Sequence, residues 1–364
     1  MASLVVGTAD GVVILDEDGS GTWNVAARLL PGAEVNNLVA EASGTVLASS
    51  RESGLVRIDV ERATATPLGA GTLPQAVRSI AISPADPAVI YAGTEPAALF
   101  CSRDGGATWS EDAQVAGMRE ARKWQYPGNV KPHIRNIVID REDPQLIFAA
   151  VQIGGVLRTE DGGAHWEDLT VDIDPDVHKI VQHPTAPNVF FAVTGGGGEY
   201  PHPTPAHRLK PPYPHGRPLY KSTDRGKTWN SMSDDVPQSY GVPLAVTAGE
   251  RPMLLAGVAY GVPPRWAARE DRAGAQVIVS ADEGASWAPV SDGLPAPSRS
   301  MIETIEVDSR RNRIYVGTSG DGRDWAEGGD SAPCPGAIYY SRDVTRGWAQ
   351  VPVALPEVLA LCPR

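Results

Sequence analysis

This chain of 364 residues has few cysteines, no excess of positive charge and no long apolar run. It has three cysteines, Cys101, Cys334 and Cys362, which are far apart and do not have the CxxC spacing of many zinc sites. An odd number of separated cysteines is not typical of a disulfide framework and favours a reducing compartment. We therefore expect a cytoplasmic protein.

Positive charge is outnumbered, with 32 Lys and Arg against 44 Asp and Glu and a formal net charge of −12. Proteins bind nucleic acids through Lys and Arg that neutralise phosphates, so this balance argues against nucleic acid as a partner and disfavours anionic membranes. No run approaches the roughly 18 apolar residues of a membrane span. The opening segment MASLVVGTADGVVILD has no basic region and predicts a strand pair rather than a signal peptide.

An internal repeat dominates the chain instead. The octapeptides SRDGGATW, TEDGGAHW, STDRGKTW and SADEGASW share Ser or Thr first, Asp third, Gly fifth and Trp eighth. We call this segment the box. Looser copies are DEDGSGTW near the start and SRDVTRGW near the end. From Trp109 to Trp348 the box tryptophans are 57 to 63 residues apart, a period typical of repeat architectures.

Strand-like runs recur with the same period. They are rich in β-branched and aromatic residues, are bounded by Gly, Pro and Asp, and show no sustained helical period. The runs are LVVGT (4–8), VLASS (46–50), VIYAGT (89–94), LIFAAV (146–151), VFFAVT (189–194), MLLAGV (253–258) and RIYVGT (313–318). Seven units of four strands predict an all-β fold, a seven-bladed β-propeller that forms a single domain over residues 1–364.

The two ends of the chain predict how the propeller closes. The chain starts with a second strand, LVVGT, and finishes with a first strand, EVLAL (357–361). The first strand at the C-terminal end can supply the first strand that the N-terminal blade lacks. We therefore expect the C-terminal strand to pair into the N-terminal blade.

The box has a structural interpretation. Its Asp can accept hydrogen bonds from amides of its own turn, its Gly permits left-handed backbone, and its Trp can pack between layers. The pattern S/T-x-D-x-G-x-T/S-W resembles BNR/Asp-box repeat proteins, among them sialidases, sortilin-type receptors, xyloglucan-cleaving glycosidases and photosystem II stability/assembly-factor-like proteins. The resemblance implies a propeller with Asp-box turns between third and fourth strands. The FRIP-type motif of sialidases is missing, so sialidase activity is not expected.

Four insertions lengthen the repeat, at about 111–132, 195–218, 259–275 and 319–336. They join second to third strands or one blade to the next. The resemblance implies that such connections lie opposite the boxes, on a face that we call the loop face. Long loops in a compact repeat are usually functional, so we expect a ligand or a partner protein on this face.

The innermost strands indicate a site at the central channel. Side chains of a strand alternate between its faces, so stepping back two residues from a paired apolar position selects one channel-facing residue per blade. These ring residues are Asn36, Arg78, Arg135, His178, Val242, Glu303 and Glu357. A further step back of two positions on each inner strand gives a second layer, nearer the loop face. Its residues are Glu34, Ala76, His133, Asp176, Tyr240, Met301 and Leu355. The polar ring residues separate by charge around the circle.

Two interpretations of the ring stay open. In one, arginines and glutamates pair across water in a structural ring. In the other, the ring binds a small polar, anionic or glycan-like ligand, and neighbouring carboxylates raise one another's pKa and perform acid–base catalysis. The catalytic candidates are Glu303, Glu357, His178 and Tyr240. The substrate-binding candidates are Arg78, Arg135, His133, Asn36, Trp124 and Asp176. A divalent metal ion held by His178 and His133 is an alternative.

The sequence therefore leaves two functions open. The first is a hydrolase or lyase whose substrate binds at the mouth of the channel. The second is a non-catalytic assembly or interaction scaffold that holds a partner protein through the inserted loops, because the resemblance brings no intact catalytic motif and fold alone does not determine function.

Overall fold

Seven four-stranded sheets surround a central channel as the blades of a β-propeller. The structure is a computed structural model that describes residues 2–122, 124, 131–170, 172–196, 217–249, 251–266, 269–320 and 335–364. Within each blade neighbouring strands are antiparallel, and the innermost strands of adjacent blades contact one another around the whole ring. The predicted all-β, seven-bladed architecture is confirmed.

The strands of each blade follow chain order from the channel outwards, except that the C-terminal strand is innermost in blade 1. Blade 1 contains β28 (Val358–Pro363), β1 (Ala2–Thr8), β2 (Gly11–Glu17) and β3 (Trp23–Leu29); blade 2 contains β4 (Val35–Ala40), β5 (Val46–Ser50), β6 (Gly54–Asp59) and β7 (Thr64–Pro67); blade 3 contains β8 (Val77–Ile82), β9 (Ile90–Thr94), β10 (Leu99–Ser102) and β11 (Ser110–Glu111). Blade 4 contains β12 (Ile134–Ile139), β13 (Ile147–Val151), β14 (Gly155–Thr159) and β15 (Glu167–Asp168); blade 5 contains β16 (Val177–Gln182), β17 (Phe190–Thr194), β18 (Leu219–Ser222) and β19 (Asn230–Ser231). Blade 6 contains β20 (Tyr240–Val246), β21 (Leu254–Ala259), β22 (Gln276–Ser280) and β23 (Ala288–Val290); blade 7 contains β24 (Ile302–Asp308), β25 (Arg313–Thr318), β26 (Ile338–Ser341) and β27 (Ala349–Gln350). Two helices, α1 (Ala113–Arg122) and α2 (Pro263–Trp266), lie in the insertions at about 111–132 and 259–275.

The C-terminal strand closes the ring as predicted. In β28, Cys362 pairs with Val5 and Leu361 pairs with Val6 of β1, so blade 1 combines both ends of the chain. Neither described helix is long and apolar enough to cross a membrane. Residues 197–216 and 321–334, which cover much of two predicted insertions, lie outside the described residues.

The second strand of each blade explains why the sequence shows short continuous apolar runs. Strands β5, β9, β13, β17 and β25 are buried along their whole length. A strand in the middle of a blade has a neighbouring blade packed against both of its faces, so it does not alternate between apolar and polar residues. These strands supply much of the apolar core between blades.

The boxes form the turns between third and fourth strands. In the box 102–109, Thr108 donates to Asp104 from its amide at 2.9 Å and from its hydroxyl at 2.6 Å, while the amide of Gly106 donates to Ser102 Oγ at 2.9 Å. Gly106 has a φ of +92°, a left-handed conformation that glycine adopts without strain. The indole of Trp109 is buried and donates to the carbonyl of Gly106 at 3.0 Å. The boxes 159–166, 222–229 and 280–287 repeat the Asp-centred hydrogen bonds.

Adjacent inner strands are tied by side chains at equivalent positions. Asn37 Oδ1 accepts the amide of Ile80 at 3.1 Å, Ser79 Oγ donates to the carbonyl of Ile134 at 2.7 Å, and Asn136 Oδ1 accepts the amide of Ile180 at 2.9 Å. Each bond joins a blade to the next one. Inner strands of different blades do not share a sheet, so these side chains supply part of the hydrogen bonding that their backbones require.

Removing one such tie should destabilise the propeller. In Asn136→Ala, the buried amide of Ile180 loses its acceptor, and an unsatisfied buried donor costs about 1–3 kcal/mol of unfolding free energy. We expect a loss of that size in urea denaturation at pH 7. Asn188→Ala is the control, because Asn188 is exposed, and it should unfold as the wild type does. Equal stability of Asn136→Ala and wild type would contradict the role of the tie.

The box carboxylates should make stability depend on acid pH. Hydrogen bonds from the hydroxyl and the amide of Thr108, and from Ser102, lower the pKa of Asp104 from 3.8 to about 2. A carboxyl with a lowered pKa stabilises the fold fully above its ordinary pKa, and this contribution is lost as the pH falls from about 4 to about 2.

We therefore expect Asp104→Asn to be less stable than wild type at pH 7, with the difference shrinking between pH 4 and pH 2. Urea denaturation at a series of pH values measures this. The exposed carboxylate of Glu142 provides a charge-matched control, Glu142→Gln. A difference between Asp104→Asn and wild type that stays constant from pH 7 to pH 2 would count against the charged hydrogen bonds.

Candidate functional site

An irregularity at the same place in every inner strand places one residue of each blade at the channel. At this place the pairing between the inner strand and the second strand skips one residue of the inner strand, and in β20 it skips two. Such an irregularity is a β-bulge. The skipped residues that line the channel are Asn36, Arg78, Arg135, His178, Val242, Glu303 and Leu359. Six of these seven agree with the ring predicted from the sequence.

The seventh position differs from the prediction. In β28 the pairing skips Leu359, so this residue and not Glu357 occupies the ring. The carbonyl of Glu357 accepts the amide of Ala9 at 3.0 Å, just as the carbonyl of His133 accepts the amide of Gln152 in blade 4. Glu357 therefore belongs to the layer nearer the loop face. The segment VLAL is apolar at consecutive positions, so alternation did not fix its phase, and five ring residues are polar instead of six.

A cavity of about 420 Å³ opens where the ring meets the loop face. Its walls include all seven ring residues and most of the layer above them, and Glu357 is among these. Residues that directly follow second strands complete the walls, for example Arg51, Gln152 and Ser319. The volume lies within the range of small-ligand sites.

Glu303 and Arg135 form an ion pair inside this cavity. Arg135 Nη2 lies 3.2 Å from Glu303 Oε1, and its Nη1 donates to Gln152 Oε1 at 3.1 Å. The other carboxylate oxygen of Glu303 accepts from Ser319 Oγ at 3.1 Å. Arg135 belongs to blade 4 and Glu303 to blade 7, so the pair spans the channel. Burial raises the pKa of Glu303, although Arg135 and Ser319 act in the opposite direction.

His133 is held neutral beside the two arginines. Its Nδ1 lies 3.2 Å from the carbonyl of Lys131, which can only accept, so this nitrogen carries the proton. Its Nε2 is then an acceptor that faces Arg78 Nη2 at 3.5 Å. Burial lowers the pKa of His133 well below its ordinary value, and the charges of Arg78 and Arg135 lower it further. His133 therefore acts in the cavity as a neutral imidazole.

Arg78 is surrounded by acceptors from two blades. Its Nη1 lies 3.4 Å from Glu34 Oε1, which also accepts from Asn36 Nδ2 at 2.8 Å. Its Nε lies 3.9 Å from Glu95 Oε2, and the other oxygen of Glu95 pairs with Arg51 at 3.0 Å. Burial lowers the pKa of Arg78, while Glu34 and Glu95 raise it. The arginine side of the cavity is thus a network of alternating charges.

His178 and Asp176 form a buried pair on blade 5. His178 Nδ1 lies 2.6 Å from the carbonyl oxygen of Gly241, and its Nε2 lies 3.2 Å from Asp176 Oδ1. A Cβ atom at position 195 would clash with Asp176 Oδ2, so glycine at this position leaves room for the carboxylate. Both nitrogens of His178 therefore face oxygen atoms of the protein.

Tyr240 forms an aromatic part of the wall. Its ring packs edge-on against His178 with centroids 5.3 Å apart, and against Trp266 with centroids 5.6 Å apart. Trp266 is buried and donates from Nε1 to the carbonyl of Gly261 at 2.9 Å. Tyr240 borders the cavity as predicted. The packed ring of Trp266 helps to hold the ring of Tyr240 in place.

The geometry of the described residues does not support two of the predicted roles. Trp124 packs against the apolar cluster of blades 3 and 4, next to Gly154, and is not part of the cavity wall. Among the described residues, no group of three or more His, Cys, Asp or Glu is arranged to hold a metal ion. The guanidinium of Arg78 lies 3.5 Å from His133 Nε2, and its positive charge disfavours a cation at this nitrogen.

Sequence reasoning missed the residues that directly follow the second strands. These include Arg51, Glu95, Gln152 and Ser319, each of which contacts a ring residue or a partner of one. Their signal was present, because each one directly follows a run such as VIYAGT or RIYVGT. Aligning the position after each run would have identified this collar of residues around the cavity.

Comparison with protein families and curated proteins finds glycan-active and receptor proteins. The profile of the Sortilin-Vps10 family, described as "Sortilin, neurotensin receptor 3", matches residues 97–244. Xyloglucanase from Hypocrea jecorina (strain QM6a) is 24% identical over 261 residues, which cover 65% of this chain and 27% of that protein. The chain therefore spans about a quarter of the curated relative that it matches.

Solved structures share the propeller at low identity. The GH74 enzyme of Niastella koreensis superposes with a TM-score of 0.62 at 16% identity, covering 87% of this chain and 45% of that chain. An ancestral GH74 enzyme gives 0.58 at 17% identity, covering 91% and 38%. YCF48 bound to D1 peptide gives 0.52 at 14% identity, covering 87% and 81%. At these identities the likeness shows the fold alone.

The ionised carboxylate of Glu303 should lower the stability of the folded protein at neutral pH. Because burial raises its pKa above the ordinary 4.5, the contribution of this group to stability is greatest below that value and is lost as the pH rises through the raised pKa. We expect Glu303→Gln, which cannot ionise, to melt at a higher temperature than wild type at pH 7, with the difference shrinking towards pH 4. Calorimetry from pH 4 to pH 8 measures this, with Glu142→Gln as control. A variant that melts lower at pH 7 would show that the pair with Arg135 outweighs burial.

Proposed function

We propose that the protein is a propeller of the glycoside-hydrolase type, which binds a small glycan-like ligand in the loop-face cavity and uses Glu303 as proton donor. The observation that carries the proposal is the position of Glu303. Its carboxyl group borders an open cavity, and burial raises its pKa. A raised pKa keeps a carboxyl group protonated closer to neutral pH, as general acid catalysis requires.

The chemistry of the wall favours a ligand rich in hydroxyl groups. Arg78 and Arg135 offer only donors, whereas Glu34, Glu357 and Asp176 offer acceptors when ionised. A sugar hydroxyl both donates and accepts, so it can bind to either kind of group. A ligand with a single strong charge would instead leave one side of this mixed wall unpaired. Tyr240 adds an aromatic surface against which a sugar ring can pack.

In the proposed reaction Glu303 donates its proton to the oxygen that bridges two sugar units. The bond between this oxygen and the anomeric carbon breaks, and a water molecule bonds to the same carbon. The water passes its extra proton to a second carboxylate, for which Glu357 is the candidate, because it lies in the neighbouring blade and borders the same cavity. One water molecule is consumed, and no other reactant is required.

The comparisons support this class without specifying a substrate. The xyloglucanase and the GH74 enzymes are glycan-active or glycoside-hydrolase proteins by their names, which makes xyloglucan-derived oligosaccharides the first ligands to test. Most of the length of those proteins has no counterpart in this chain. Assignment to the Asp-box repeat proteins is also part of the proposal, supported by the hydrogen bonds that four boxes repeat.

A non-catalytic scaffold is the second candidate. It is supported by YCF48, a protein of similar length that is described as bound to a peptide, because the superposition covers most of both chains. In that case the loop face would hold a segment of a partner protein, and the polar ring would be structural.

Replacing Glu303 should separate the two candidates. General acid catalysis typically contributes about 10²–10⁴-fold to a rate, so we expect Glu303→Gln to lower the turnover of xyloglucan oligosaccharides by at least about 100-fold. Affinity should change much less, because the amide keeps the shape of the side chain. Product release measured by chromatography gives the rate, and calorimetric titration gives the affinity.

The control Glu142→Gln should retain full activity. Turnover of Glu303→Gln equal to wild type would reject Glu303 as the acid. Absence of both binding and turnover for xyloglucan and a panel of other oligosaccharides with wild type would overturn the proposed function. Under that result, capture of a defined peptide partner would support the scaffold.

A further inference from the structure

The cavity is enclosed on all sides at the level of the ring. Each of the seven blades contributes a residue to the wall there, because every inner strand carries the bulge that places one side chain at the channel. A groove across a surface would have two open ends for a chain to lie along. This cavity is instead a shaft along the propeller axis, and in the part of the chain that the structure describes it opens towards the loop face.

Two ion pairs cross the shaft at different depths. The upper pair is Arg135 with Glu303, between blades 4 and 7. The lower pair is Lys179 with Glu306, whose Nζ and Oε1 are 3.3 Å apart. Inner strands run away from the loop face, so residues that follow a ring residue lie deeper in the shaft. Lys179 comes one position after His178, and Glu306 comes three positions after Glu303. The lower pair therefore lies further from the loop face than the upper pair. Lys179 belongs to blade 5 and Glu306 to blade 7, so the ion pair extends past the inner strand of blade 6, which lies between these two blades.

The lower pair borders the part of the shaft that lies nearer the box face. Both residues border the same cavity as Glu303. Their side chains are 28% and 37% exposed, so they are in contact with solvent and are not packed into a blade. Leu361 and Ala360 of β28 border the cavity at the same end. A ligand that enters from the loop face therefore meets Glu303 first and the Lys179–Glu306 pair next.

Enclosure restricts how a glycan chain can reach Glu303. An internal sugar unit could reach Glu303 only if the glycan chain turned back within the shaft. Such a turn needs room for two chain segments side by side. A cavity of about 420 Å³ is at the lower end of the range for small-ligand sites. The end of a chain needs room for only one segment.

We infer that the cavity receives the terminal unit of a glycan chain, and that the Lys179–Glu306 pair forms the floor on which this unit rests. The protein would then act on chain ends and not on internal bonds. This inference rests on the proposed glycan-binding function and deepens it by specifying which part of the ligand enters. Lys179 and Glu306 are its specificity-determining residues, and they take no part in proton transfer.

Binding to chain ends can be distinguished from binding to internal units by varying chain length. Xyloglucan fractions of increasing length are titrated into wild type by calorimetry. If ends bind, the Kd expressed per chain end stays constant within about twofold across a tenfold range of length. If internal units bind, the Kd expressed per repeating unit stays constant instead, which overturns the inference and leaves the proposed function intact. No binding of any fraction overturns both.

The floor is tested by a double variant, Lys179→Met with Glu306→Gln, which removes both charges and keeps similar volume. We expect its affinity for short xyloglucan oligosaccharides to fall at least about fivefold. The matched control is Lys221→Met with Glu283→Gln, an ion pair of 2.7 Å outside the cavity, which should bind within twofold of wild type. Unchanged affinity of the floor variant, with a melting temperature like that of the control, would overturn the role of the floor.

Discussion

The tie between one inner strand and the next is the interaction on which both the fold and the site depend. Asn37, Ser79 and Asn136 each form a hydrogen bond with the following blade. Each one directly follows a bulged residue, so in these three blades the bulge directs one side chain to the channel and the next one to the neighbouring blade. The position of these ring residues is therefore linked to how the blades are joined.

Polar residues at the channel are tolerated because they find partners across it. The ion pair of Arg135 and Glu303 joins opposite sides of the ring, and the carboxylates around Arg78 compensate its charge. Such pairing is also what the structural interpretation of the ring expected. The feature that it does not explain is a cavity beside a carboxyl group whose pKa burial raises, and the proposed function rests on this feature.

The similar proteins differ in what surrounds a shared propeller. The GH74 enzymes are more than twice as long as the part that this chain covers, whereas YCF48 is of comparable length. Propellers with similar blades can therefore differ in activity, because the blades themselves are common to enzymes and binding proteins. In this chain the residues that border the channel are the ring, the layer above it and the collar.

The sequence by itself determined the number of blades, the place of the box turns and the closure, because short apolar strand runs and box spacing are local patterns. It also located six ring residues, since alternation fixes which face a side chain occupies. The position of Glu357, the packing of Trp124 and the pairing of Arg135 with Glu303 were decided only by tertiary structure. A uniformly apolar strand does not reveal its phase, and contacts across a channel join residues that no local pattern relates.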